Sequence, residues 1–143
     1  MKTEAEFIEA IDCRFPYDDE QLASALIDEA CAISANAAYM VVHELARRPV
    51  GNLATDARCL QLLELVDARF VHPAKERVLG VARCMVRRER VRFDECAAIL
   101  RDVGRHRDQF NALAIVCIAG EEGQMEAIQR LHDDIVADWM RSR

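Results

Sequence analysis

Little in this sequence turns the chain sharply: its 143 residues include three prolines and five glycines. A sandwich or barrel of this length needs more turn residues between its strands, so an all-β fold is excluded. Long apolar runs are also missing. The longest strongly apolar stretch, Leu113 to Ala119, falls far short of the roughly 20 residues a membrane helix requires. The opening residues Met1-Lys2-Thr3-Glu4-Ala5-Glu6 place acids early and lack the apolar centre of a signal peptide. The expected location is therefore the cytoplasm, with no membrane contact. Lysine is nearly absent, with two against seventeen arginines. That usage fits a GC-rich bacterial genome and says nothing about fold.

Chemical signatures are equally sparse. The six cysteines, Cys13, Cys31, Cys59, Cys84, Cys96 and Cys117, are never closer than twelve positions, and none forms a C-x-x-C pair. Most fall among apolar helical residues, as buried free thiols of a reducing compartment do. Cys96 follows a helix start and Arg92, which would activate a thiolate, but it also fits the apolar stripe with Leu100 and Val103. The histidines are His43, His72, His106 and His132. His43-Glu44 opens an H-E-x-x-H pattern, yet position 47 is Arg47, and no histidine has a glutamate three positions before it. No metal and no cofactor is expected. The chain also lacks a phosphate-binding glycine loop, a nucleophile elbow and zinc-finger spacing.

What the chain does contain is helix. Alanine occurs 22 times, and with Leu, Glu and Arg it favours the α conformation. Spacing and caps predict eight helices. The first runs from Glu4 to Cys13, with Thr3 and Glu6 at capping-box spacing. The second runs from Asp19 to Ile33, capped by Asp18, with Leu22, Leu26, Ala30 and Ile33 inward and Ala23 and Ile27 widening the face. The third, capped by Ser34 or Asn36, ends at Arg48 before a turn at Pro49-Val50-Gly51-Asn52. The fourth, Ala54 to Phe70, has so broad an apolar face that it is expected at the centre. Pro73 opens the fifth, Asp94 caps the sixth and Asp108 the seventh. After a turn at Gly120-Glu121-Glu122-Gly123, the eighth carries Met125, Ile128, Leu131, Ile135 and Trp139 on one stripe.

No linker divides the chain, so one all-helical domain over residues 1–143 is expected. Helix pairs begin near residues 4, 35, 73 and 109. That rhythm suits antiparallel hairpins stacked as a HEAT- or TPR-like solenoid, and it suits a compact multi-helix bundle nearly as well.

Charge is unevenly placed. Net charge is −6 overall, with −7 over residues 1–72, +4 over residues 73–110 and −3 over residues 111–143. The middle segment holds Arg83, Arg87, Arg88, Arg90 and Arg92, with Arg105 and its neighbours Arg101 and Arg107 ending the next helix. Guanidinium forks bind carboxylates and phosphates bidentately. The competing interpretation is a solvated helix end, its arginines paired with Glu89, Asp94 and Asp102. Nucleic acid is not the expected ligand, since the net charge opposes it and Phe93 alone offers an aromatic face. Trp139 and Ile135 either close the core or anchor an interface.

The composition therefore points to a small soluble helical binding or regulatory protein that engages another macromolecule, a protein partner or a second copy of itself. An enzyme with a site assembled from Arg87, Arg105 and His106 is the first alternative. A small-ligand sensor with a cavity between its helices is the second.

Overall fold

The structure, a computed structural model, describes residues 2–12, 14–47, 55–120 and 124–142. Among these residues there are eight helices: α1 (Glu4–Ile11), α2 (Glu20–Ile33), α3 (Ala35–Arg47), α4 (Asp56–Arg69), α5 (Lys75–Val86), α6 (Phe93–Gly104), α7 (Phe110–Ile118) and α8 (Met125–Arg141). The Pro49 to Asn52 turn, Cys13, Arg48, Ala54 and the Glu121 to Gly123 part of the later turn lie outside the described residues.

The centre is α3, not α4. Helices α1, α2, α4, α5 and α7 all pack on it. From Asn36 to Val42 every residue is buried, as are Glu44, Leu45 and Ala46. The reason lies in composition: no charged side chain occurs between Ala35 and Val42, so no side of that stretch must face water. Helix α4, broad as its apolar face is, carries Glu64, Asp67 and Arg69 toward solvent. Helices α2 and α3 pack together, and Ala23 and Ala30 of α2, like Ala37 and Ala38 of α3, are fully buried. Small side chains let the two backbones approach closely. This seam turns α2 from its expected orientation: Ala23, Ile27 and Ala30 face inward, while Leu22 is left 49% exposed.

Helix α7 is the second interior element. It contains no charged residue, and its widest contact is with α3. It also packs on α5, α6 and α8. A linear stack of hairpins would keep α3 and α7 two hairpins apart, so their direct packing makes this a compact bundle. One apolar cluster takes residues from every helix, and among the described residues no helix is long and apolar enough to cross a membrane.

The caps follow the sequence in part. Thr3 and Glu6 form the capping box of α1, the Thr3 hydroxyl accepting from the Glu6 N–H at 3.2 Å. Ser34 Oγ accepts from the Ala37 N–H at 3.0 Å and donates to Glu4 Oε1, so one hydroxyl both caps α3 and ties it to α1. Asp19, rather than Asp18, caps α2 through the Leu22 N–H. Asp94 sits inside the first turn of α6, where it accepts from the Glu95 N–H, and the cap position belongs to Arg92. Asp108 does not cap α7 either: it lies at φ 66°, and Gln109 holds the cap position with no side-chain bond. The acceptor comes from another helix. Asn36 Oδ1 receives the Asn111 N–H at 3.0 Å, and Asn111 Nδ2 donates to the Asn36 carbonyl at 3.0 Å. This pair closes the polar groups at the start of both interior helices.

The Asn36–Asn111 pair sets the register of α3 on α7. Replacing Asn36 by alanine strands the Asn111 N–H, and a buried donor without a partner costs about 1–3 kcal/mol. Chemical denaturation of Asn36→Ala is expected to show that loss with an unchanged m-value.

Candidate binding surface

The α5–α6 hairpin decides where the arginines go. Helix α5 has twelve residues, about 18 Å at 1.5 Å per residue. Arg87, Arg88, Arg90 and Arg92 leave its far end and enter α6, whereas Arg105 and His106 follow the far end of α6. The hairpin therefore carries the residues expected in one cluster to opposite ends of the bundle. Arg83 separates as well, turning back onto α4 to meet Glu64 at 3.5 Å and Asp67 at 3.8 Å. Arg87, Arg105 and His106, the residues of the enzymatic alternative, are not brought together.

The arginine end is held rigidly. Glu89 N–H donates to the Cys84 carbonyl at 2.8 Å, and Arg88 N–H to the Met85 carbonyl at 3.0 Å. These are the two bonds of a Schellman motif, in which the residue after the cap adopts the left-handed conformation. That residue is Arg88, at φ 59°. Glycine is the usual occupant, because an L side chain in this region costs about 1–2 kcal/mol. Val91 then pins the segment: it is buried, and its N–H donates to the Ala119 carbonyl at 3.4 Å.

From this anchored turn Arg87, Arg88, Arg90 and Arg92 extend into solvent. Arg88 lies 3.6 Å from Asp56 and Arg92 lies 3.4 Å from Asp94, all four side chains being well exposed. Exposed pairs of this kind contribute only about 0–1 kcal/mol and exchange readily for other carboxylates. Between the turn and the end of α7 runs an open groove lined by Met85, Arg88, Glu89, Arg90, Ile118 and Gly120. Ile118 is 44% exposed there, so an apolar contact stands beside the guanidinium groups.

At the opposite end, the α6–α7 connection is clamped to α8. Trp139 Nε1 donates to the Gly104 carbonyl at 2.9 Å, and Arg107 Nη2 donates to the Trp139 carbonyl at 2.7 Å. Trp139 is buried and meets Phe110 edge to face. It closes the core and is not exposed for a partner. Ile135 is half-buried and packs on Gly104, where a Cβ would stand 3.1 Å from its Cγ2; the glycine permits this close crossing of α6 and α8. A second open groove there is lined by Arg101, Arg105, Ile135 and Asp138. Arg105 is 3.8 Å from Asp102, which also meets Arg77 at 3.5 Å.

The same end holds a network that sequence inspection did not find. The rings of His72 and His106 meet edge to face at 4.9 Å. Tyr39 Oη lies 2.8 Å from His72 Nδ1. Burial, then the neighbouring His106, push the His72 imidazole below the ordinary histidine value, and Asp102 opposes them. These residues lie 33 and 34 positions apart in sequence, on α3 and on two connections, and no local spacing announces them.

The described cysteines are free thiols. Burial pushes the Cys96 thiol up to about 11, and its Sγ faces the Val91 and Val116 carbonyls. It is a core residue, kept protonated at neutral pH. Among the described residues, no group of three His, Cys, Asp or Glu side chains stands close enough to hold a metal ion. No family model, no curated protein and no solved structure matches this chain.

Arg88 is the residue whose backbone and side chain make opposite demands. Arg88→Gly is expected to raise stability by about 0.5–1 kcal/mol, because relief of the left-handed strain outweighs the exposed Asp56 pair. Thermal unfolding of the variant against the parent measures it.

Proposed function

We propose that this chain is a protein-binding module whose arginine-bearing turn, residues 87–92, receives an acidic segment of a partner protein. The observation that carries the reading is Arg88 in a glycine position. A left-handed arginine puts a solvent-reaching guanidinium where glycine, the less strained occupant, would put none. Strain of this kind collects at functional sites. The neighbouring guanidinium groups supply bidentate donors for carboxylates, and Ile118 with Met85 supplies the apolar contact that an interface centre needs.

Two features favour an acidic protein over the alternatives. No aromatic ring interleaves the arginines, so the stacking that supports nucleic-acid binding is missing. The grooves described are open rather than enclosed, which favours a macromolecule over a buried small ligand. The separation of Arg87 from Arg105 and His106 weighs against an enzyme built on those residues.

The test compares two baits in lysate of the source organism, the parent and a variant with Arg87, Arg88, Arg90 and Arg92 changed to serine. A partner held stoichiometrically by the parent at low salt, and lost both by the variant and at moderate salt, supports the reading. Equal retention by the two baits overturns it.

A further inference from the structure

The network at the opposite end of the bundle has a consequence independent of the arginine turn. His72 Nδ1 lies 3.3 Å from the Ala74 N–H as well as 2.8 Å from Tyr39 Oη. An amide N–H can only donate, so Nδ1 must offer a lone pair, and the ring proton must sit on Nε2. Ala74 is the cap position of α5 and has no side-chain bond of its own. The His72 carbonyl receives the Lys75 N–H at 3.1 Å. One imidazole thus satisfies the start of α5, contacts α3 through Tyr39 and meets the α6–α7 connection through His106.

We propose that His72 is a protonation latch: neutral, it holds the start of α5 against α3 and the α6–α7 connection, and a proton taken from solvent at Nδ1 releases that start. The released contacts can be named. With a hydrogen on Nδ1, two donors face each other at Ala74, and its N–H loses its acceptor. The Tyr39 hydroxyl can turn and accept, but its own hydrogen then points into a fully buried surround. The new charge also stands beside the His106 ring.

The charged and titratable groups facing His72 are few. From α6, Asp102 attracts the imidazolium, its charge shared with Arg77 and Arg105. From the α6–α7 connection, His106 repels it. From α3, Tyr39 stays neutral, its phenol raised by burial. On the segment of His72 itself, the Lys75 ammonium is directed to Asp67 and to the Asp67 and Phe70 carbonyls.

The direction of the pH effect follows from linkage. The folded-state value of His72 lies below its unfolded one, about 6.5, so between the two the unfolded chain binds more protons. The stability tied to neutral His72 is fully present above about pH 6.5 and is lost as pH falls through the folded value. His43 contributes in the same sense, since burial and Arg47 lower it too. Global stability therefore does not isolate the latch, and the readout must be local.

The experiment is an NMR titration of the whole protein from pH 8 to pH 5. At pH 8 the long-range nitrogen spectrum is expected to show His72 as the Nε2–H tautomer. On acidification the Ala74 amide is expected to lose hydrogen-exchange protection in step with His72 protonation. In His72→Asn a short amide oxygen can accept the Ala74 N–H without titrating, and the step should vanish. His106→Gln removes the repelling neighbour and should move the step to higher pH. An Nδ1–H tautomer, Ala74 protection that is constant through the His72 titration, or the same step persisting in His72→Asn would each overturn the proposal.

Discussion

A helix surrounded by other helices has no face to give to water, and the rest of this structure accommodates that constraint on α3. Every polar group it carries into the interior must find a partner or incur a desolvation cost of several kcal/mol. Asn36 meets Asn111 on α7, and Tyr39 meets His72 in the α4–α5 connection. Glu44, almost fully buried, meets Arg47 at 2.6 Å. Its backbone carbonyl receives the Tyr17 hydroxyl at 2.6 Å, fastening the α1–α2 connection. Asn36, Tyr39 and the Glu44 carbonyl are thus points to which other elements are fixed, whereas His43 Nδ1 is buried without a hydrogen-bond partner among the described residues. The apolar ones, small at Ala37 and Ala38 and larger at Val41 and Leu45, set how closely those elements approach.

Because the interior is occupied by α3 and α7, the surface chemistry is displaced to helix ends. The α5–α6 hairpin separates two clusters by the length of a helix. At one end, a Schellman turn and the buried Val91 present arginines from a fixed backbone. At the other, two histidines and a tyrosine join connections that share no local sequence relation. The first cluster is exposed and made of fixed charges; the second is half-buried and titratable.

The sequence made some of this legible and left the rest hidden, for physical reasons. Helix positions were readable because caps and periodicity are local: Thr3 with Glu6 and the α8 stripe needed no tertiary knowledge. The centre was misjudged because breadth of apolar face was weighed above absence of charge. Helix α4 has the leucines, but Glu64, Asp67 and Arg69 require a wet side, whereas the run from Ala35 to Val42 requires none. The cap of α7 was missed because its acceptor, Asn36, comes from 75 positions earlier. Arg88 was visible as part of a basic cluster, but its left-handed backbone was not, since nothing in an arginine announces a glycine conformation. The pairing of His72 with His106 depends on how two connections fall beside α3. Trp139 had two possible fates, and the Gly104 carbonyl within reach of its indole N–H settled it as core.

The central position of α3 is the claim on which both clusters depend, and native-state hydrogen exchange tests it most directly. Amides from Ala38 to Leu45 are expected to exchange only through global unfolding, with opening free energies equal to the stability from denaturation, while those of the edge helices α1 and α8 exchange through smaller openings. Exchange in α3 as fast as in α8, or greatest protection residing in α4, would contradict the account.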